Sequence, residues 1–424
     1  DGSQYRDYLN YEERAGRMPS HRYLAVCRGE AEGILSVSLK PDLERSLQQI
    51  SRQCRYFPHS PYGPHMFLAI QDAFKRLLLP AAERAIRAEL KVKADDDAID
   101  VFQKNMEAIL LAPPLGPEAV LGIDPGIRTG SKCAMVNAQG ELVHHQTLFL
   151  VGRKEPQIDA LKSLIRKYRP AAIAVGNGTG GRETEAAACQ ALKASGLEAM
   201  VVSVNEAGAS VYSASDLARS ELPDVDLTVR GAVSIARRLQ DPLAELVKVP
   251  SKSIGVGQYQ HDVDQGKLEK RLGDVVESCV NRVGVDLNTA SPALLSYVAG
   301  IGPKLAQSIV EQRSRKGGFR SRKDLLDVPG LGQKTFEQCA GFLRIPNGSD
   351  PLDSSAVHPE RYSLVQKMAR DLGVELSSLI GNTIALDRID LGRYEDQEIG
   401  LATLSDILAE LRKPGRDPRA DFQA

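Results

Sequence analysis

Two stretches of the chain, AGIGPKLAQSIV (299–310) and PGLGQKTFEQCA (329–340), repeat the pattern Gly-apolar-Gly-x-Lys thirty residues apart. No other feature restricts the fold as tightly. Two glycines so close together let the backbone reverse sharply and leave no side chain over the bend. A helical stretch precedes each copy, SPALLSYV before the first and KDLLDV before the second. Pro303 suits the first turn of the helix that follows. The spacing therefore predicts two antiparallel helix pairs, one closed by Gly300 and Gly302 and the other by Gly330 and Gly332.

Such a bend has a chemical consequence. The first amides of a helix have no acceptor within it and, together with the helix dipole, favour an anion. Lys304 and Lys334, each two residues beyond the second glycine, add a point charge suited to phosphate. Two bends side by side would hold two phosphates of one strand and position a backbone without reading its sequence. The bland alternative is a pair of glycine-turned helical hairpins with no ligand. Against it stands QRSRKGGFRSRK (312–323), which carries Arg313, Arg315, Lys316, Arg320, Arg322 and Lys323 and no acid. Such runs are most often solvated faces, but this one lies between the two bends. The whole chain has a net charge of only −1, which conceals the local run. Trp is absent and aromatic residues make up 5%, so backbone contacts are expected rather than a base-stacking platform.

The pattern is the helix–hairpin–helix motif, and residues 285–332 resemble tandem DNA-binding members of that family.

The remaining sequence sets the frame. At 424 residues the chain should hold two to four domains. Residues 1–116 read as mostly helical, with YLAVC (23–27) and GILSVSL (33–39) as a short β-hairpin and Pro80 as a kink or break. Residues 117–245 read as βββαβαβα, ending in the helix TVRGAVSIARRLQ (228–240), an order that gives a mixed sheet with helices packed on it. Residues 246–345 begin as an extended connection to about 273 and then carry the hairpin pair; 345–355 read as a linker, and 356–424 as a small helical unit of the same hairpin type.

Six scattered Cys with no CxxC pair suggest a reducing, cytoplasmic setting, and the seven His show no zinc-site spacing. No apolar run approaches the roughly 18 residues of a membrane span, so no membrane partner is expected. The start has no signal-peptide pattern and no initiator Met, and the end stops in polar sequence. The chain reads as a piece of a longer protein.

LGIDPGIRTG (121–130) ends an apolar strand on Asp124. With the strand order that follows, it resembles the YqgF branch of the RuvC-like, ribonuclease-H-type fold. In that fold the first-strand Asp belongs to a cluster of carboxylates that holds two divalent ions, because hard Mg²⁺ needs oxygen ligands and charge compensation. The resemblance places a second acid at Glu206 and a third near the start of the last helix, where this chain has Arg230 and Gly231. A guanidinium there would repel a metal or pair with Asp124. Asp262 and Asp264 lie well past that helix. No metal or other cofactor is therefore expected, and Asp124 and Glu206 are candidate remnants. GNGTGGRETE (176–185) matches neither common nucleotide motif, and its own acids would repel a nucleotide, so it reads as a structural loop.

In order, GIDPG, GNGTGGRETE, VNEAGASVYSAS, VRGAVSIARRLQDP, GVGQYQHDV and the paired hairpins resemble the Tex family of bacterial transcription accessory proteins. The resemblance implies a multidomain, mainly α protein with an embedded α/β ribonuclease-H-like (YqgF) domain and tandem helix–hairpin–helix units. It implies RNA or DNA binding linked to the transcription machinery. Family members continue into an S1 domain and have further helical sequence ahead of residue 1. Neither lies within these residues, which implies weakened RNA affinity. The preferred expectation is a non-catalytic, sequence-nonspecific nucleic-acid-binding scaffold. One alternative is a metal-dependent nuclease using Asp124 and Glu206 with Mg²⁺. Another is an actin-like phosphotransferase, in which the hairpins would have no role.

Overall fold

The computed structural model describes residues 2–152, 155–395, 399–415 and 417–423. The chain divides into two units, Asp1–Asn105 with Val256–Arg271, and Met106–Gly255 with Leu272–Ala424.

The first unit is helical: α1 (Ser20–Ala31), α2 (Leu43–Gln53), α3 (Gly63–Ala73) and the start of α4 (Leu79–Leu110). The expected β-hairpin is not formed. YLAVC lies in the middle of α1, where Tyr23, Leu24, Ala25 and Val26 are all buried. A short apolar run reads the same whether it is a buried strand or the buried part of a helix. GILSVSL instead finishes that helix. Gly33 takes φ +72, the amides of Ile34 and Leu35 both reach Gly29 O, and the Leu35 side chain fills the space that a Cβ on Gly29 would need. Pro80 neither breaks nor ends the helical path. A π turn at Phe74–Leu78 precedes it and changes the hydrogen-bond register where the missing proline N–H would have disrupted it.

The second unit opens with a sheet of β1 (Val120–Asp124), β2 (Ser131–Val136), β3 (Leu142–Leu148), β4 (Ala172–Gly176) and β5 (Met200–Val204), in the order β3-β2-β1-β4-β5. β1–β2 and β2–β3 are antiparallel, and β1–β4 and β4–β5 are parallel. This is the ribonuclease-H-like α/β arrangement. Alternation along β1 divides its side chains. Leu121 and Ile123 enter the core beneath α5 (Glu155–Tyr168) and α6 (Gly181–Ser195), while Val120 enters the core on the opposite face. The chain then forms two short helices, α7 (Ala209–Ala214) and α8 (Asp216–Glu221), that the sequence pattern does not separate. α9 (Leu227–Gln240) lies across that opposite face, with α10 (Pro242–Leu246) after it. It comes so near β1 that a Cβ on Gly122 would stand 2.2 Å from Ala232 O.

α11 (Gln265–Val283) begins within the stretch expected to be an extended connection, so GKLEKRL is helical. β6 (Val285–Asp286) and β7 (Leu343–Arg344) pair in parallel and bracket α12 (Pro292–Leu295), α13 (Pro303–Lys316), a 3₁₀ turn (Arg322–Asp327) and α14 (Gln333–Cys339). The last part holds α15 (Tyr362–Asp371), α16 (Leu376–Leu379), α17 (Thr383–Leu386) and α18 (Leu401–Arg412) around Leu352, Val365, Leu379, Leu386 and Leu411. The 345–355 stretch is not a free linker. Its Leu352, Asp353 and Ser355 are buried, Ile345 N donates to Asp353 O, and Ser349 N donates to Arg320 O. Composition alone marks Pro, Gly, Asn and Ser as turn residues and says nothing of whether the turns are packed.

Candidate nucleic-acid interface

The two glycine bends have the same geometry. In the first, Ile301 N donates to Val298 O, Gly300 stands at φ +81, and Gly302 caps α13 at φ −85, ψ 170. In the second, Leu331 N donates to Val328 O, Gly330 stands at φ +89, and Gly332 caps α14 at φ −89, ψ 173. Ile301 and Leu331 turn inward and are buried, which anchors each bend to the core. The positive φ of Gly300 and Gly330 is a conformation that a residue with a Cβ adopts only at a cost.

The bends pack reciprocally. A Cβ on Gly300 would meet Gln338 and the Thr335 carbonyl of α14, and a Cβ on Gly330 would meet Leu305 of α13. The two bends are thus neighbours. Gly300, Gly302, Lys304, Gly330, Gly332 and Lys334 are all exposed, and nothing lies within 4 Å of a Cβ built on Gly302 or Gly332. The first intrahelical bonds are Ala306 N to Gly302 O and Phe336 N to Gly332 O. The amides of Gly302, Lys304 and Leu305, and those of Gly332, Gln333, Lys334 and Thr335, precede these and are the ones left for an anion.

The basic run divides on folding. Arg315, Lys316, Arg320 and Lys323 are exposed. Lys316 pairs with Asp327 at 2.6 Å, and Arg315 lies 3.8 Å from Glu311. Arg313 is half-buried and donates to the carbonyls of Leu287 and Ala290, and burial pulls its guanidinium below the ordinary value. Arg322 corrects the sequence reading outright. It is 1% exposed and bound entirely to protein groups, so it is not part of a surface patch. A string of charges does not show which side chain the local turn directs inward.

The acidic pocket sits at the end of β1. Asp124 points to the α9 side, and a Cβ on Gly231 would stand 2.7 Å from its Oδ2. Glu206, in the loop after β5, lies against Gly176 and Gly178, where a Cβ would stand 2.3 Å and 1.6 Å from its carboxylate oxygens. Glycines thus make the room for both acids. Burial first, and the Glu206 charge second, push Asp124 up to about 6, while Lys132, its cross-strand neighbour on β2, acts in the opposite sense. Glu206 Oε2 is buried without a hydrogen-bond partner.

Arg230 does not pair with Asp124. Its Nε donates to Val225 O at 3.0 Å and its Nη1 to Ser213 O at 3.4 Å, so Gly231 is the α9 residue that faces the acid. Asp262 is held by Arg28, and Asp264 accepts from Lys267 N, both within the first unit. Sequence reasoning missed Arg238, one turn beyond Ser234 on α9. It is 4% exposed and its Nη1 ties the carbonyls of Asn205 and Ala207, the residues on either side of Glu206. Its place in a helix that reads simply as amphipathic gave no signal. Among the described residues no group of three or more His, Cys, Asp or Glu is placed to hold a metal ion. The pocket thus brings together two carboxylates, Asp124 and Glu206, with a glycine on its α9 side.

Comparison with known proteins gives a consistent pattern. Residues 1–102 match the Tex central region-like family, 118–240 the Tex protein YqgF-like domain, 280–344 the helix-hairpin-helix motif and 350–419 the HHH domain. The whole chain is 48% identical over 431 residues to transcriptional accessory protein Tex of Neisseria gonorrhoeae, and 44% identical over 440 residues to protein tex of Bordetella pertussis. It spans 56% of the length of each. It is 38% identical over 349 residues to the human S1 RNA-binding domain-containing protein 1, matching 80% of this chain and 35% of that one. Among solved structures, Thermus thermophilus RuvC in complex with a Holliday junction substrate aligns with 28% of this chain and 90% of its own, at 20% identity and TM-score 0.23. No helix among the described residues is long and apolar enough to cross a membrane.

Proposed function

The chain belongs to the Tex family, and on that footing we propose that it is a sequence-nonspecific nucleic-acid-binding scaffold acting in transcription. It grips the sugar-phosphate backbone in its paired glycine bends, and its ribonuclease-H-like domain does not cut. One observation carries this reading: two bends of matching geometry lie against each other, exposed, each with bare helix-start amides and a lysine. The amides set where a phosphate oxygen sits, Lys304 and Lys334 add charge, and Arg320 and Lys323 extend the positive surface. None of these groups reads a base, so affinity should follow backbone charge. A non-cutting α/β domain is supported by the composition of its pocket, which holds two acids, the one facing α9 set against a glycine.

Gel-shift titrations of Lys304→Glu and Lys334→Glu test the binding reading, using single-stranded RNA and duplex DNA of arbitrary sequence at two salt concentrations. Each reversal is expected to weaken binding roughly tenfold at low salt, equally for unrelated sequences, and to flatten the salt dependence. Unchanged affinity for every probe would remove the bends from the account. Incubation of branched and single-stranded substrates with Mg²⁺ or Mn²⁺ is expected to leave them intact. Cleavage that Asp124→Asn abolishes would overturn the non-cutting reading.

A further inference from the structure

Arg322 is placed by sequence in the basic run and by structure in the interior. Its Nε donates to Leu343 O at 2.7 Å, its Nη1 to Val357 O at 2.8 Å and Tyr362 Oη at 2.7 Å, and its Nη2 to Ser355 O. Its backbone amide donates to Asp353 Oδ2 at 3.0 Å, and the Tyr362 hydroxyl donates to Asp353 Oδ1 at 2.7 Å. Three segments meet there. Arg322 opens the 3₁₀ turn Arg322–Asp327 that leads into the second glycine bend. Leu343 is where the chain leaves that hairpin. Ser355, Val357 and Tyr362 belong to the region that matches the HHH domain, 350–419.

The first bend is fixed differently. Asn281 of α11 accepts from Ala299 N at 3.0 Å and donates to Tyr297 O at 3.2 Å, and the residue thirty places before Arg322 is Pro292. The second bend therefore depends on a support that the first does not share. A buried guanidinium is costly unless its donors are saturated, and a planar fork that ties several carbonyls at once fixes their relative positions.

We infer that Arg322 is a positioning residue through which the 350–419 domain holds the second glycine bend in register with the first, so that both engage one strand. The inference rests on the reading of the bends as phosphate sites. It assigns the C-terminal domain a task in binding that needs no contact with the ligand.

Tyr362→Phe tests it, since it removes one acceptor from the Arg322 guanidinium and the donor to Asp353, which in turn accepts from the Arg322 amide, without changing charge or opening a cavity. Affinity for duplex DNA of arbitrary sequence is measured for this change alone and combined with Lys304→Glu or Lys334→Glu. The loss is expected to be about fivefold in the wild-type and Lys304→Glu backgrounds, and to vanish in Lys334→Glu, where the second bend is already disabled. Hydrogen exchange without nucleic acid should quicken over residues 322–339 and stay unchanged over 299–316. A full loss retained in Lys334→Glu, or unaltered exchange at the second bend, overturns the inference. If neither lysine reversal weakens binding, the phosphate reading has failed instead, and exchange alone still decides whether Arg322 holds the bend. Arg322→Lys, which keeps the charge and loses the fork, is expected to give the same pattern and serves if Tyr362→Phe does not fold.

Discussion

Asp124 illustrates how one side chain can weaken the fold it sits in. Its folded pKa of about 6 lies above that of an unfolded aspartate. The protonated form is therefore the one the fold prefers. The associated stability is fully present below the unfolded pKa, near 4, and is lost as pH rises through about 6. At pH 7 to 8 the ionised acid, desolvated and facing Glu206, costs on the order of 1–2 kcal/mol after allowance for its partial exposure. Asp124→Asn should raise the urea midpoint at pH 8, and the gain should vanish near pH 4. A gain of equal size at both pH values would mean that ionisation is not the cause. Asp124 was legible in the sequence because a strand ending on a carboxylate is unusual, and Glu206 only through the family resemblance. The partners were not. Nothing in VRGAVSIA says that Gly231 rather than Arg230 faces Asp124, since the rotation of a helix about its axis is set by packing. Arg322 was misread for the same reason.

At the scale of single elements, the glycine bends separate conformational need from ligand access. Gly300 requires its positive φ and also lies 3.1 Å, through a built Cβ, from Gln338. Gly300→Ala should therefore lower stability by about 1–2 kcal/mol in denaturant titrations. Gly302 has ordinary φ and open space around it. Gly302→Ala should cost less than about 1 kcal/mol yet weaken phosphate binding in the gel shift, because its methyl would lie over the bend. In the sheet, Gly122→Ala would force a carbon against the α9 backbone and should destabilise by about 2–4 kcal/mol. These elements could be read in advance because glycine spacing and strand alternation are local. The supposed hairpin at 23–39, the connection before α11 and the linker at 345–355 could not. Each depends on whether distant chain buries the segment, as Leu35 over Gly29 and Leu352 in the C-terminal core show.

For the molecule as a whole, a net charge of −1 gives no hint of nucleic acid, and the attraction rests on a few local charges, Lys304 and Lys334 at the bends with Arg320 and Lys323 exposed in the segment between them. Association should accordingly slow as salt is added, with only a modest slope, since few charges steer the encounter. The second unit is also tied by its last residues. Arg419, with a side chain 5% exposed, bonds Asp241 at 2.7 Å and Asp417, and Phe422 packs against the sheet core on the α9 side. Arg419→Met takes the guanidinium from Asp241 and Asp417, whose side chains are 40% exposed, leaves Asp241 its bond from Ala244 N, and should cost about 1–2 kcal/mol. Faster proteolytic cleavage within residues 413–423 at native pH would be the readout. β6 and β7 carry a further consequence. Because Val285 and Leu343 are paired neighbours, the polypeptide goes out to the hairpins and comes back through one doorway. A short splice from Val285 to Leu343 would therefore close the gap geometrically and delete both bends as a cassette. The excision would also strand Tyr362 and Asp353, so a transplanted cassette should fold well in a foreign host only when that docking floor travels with it.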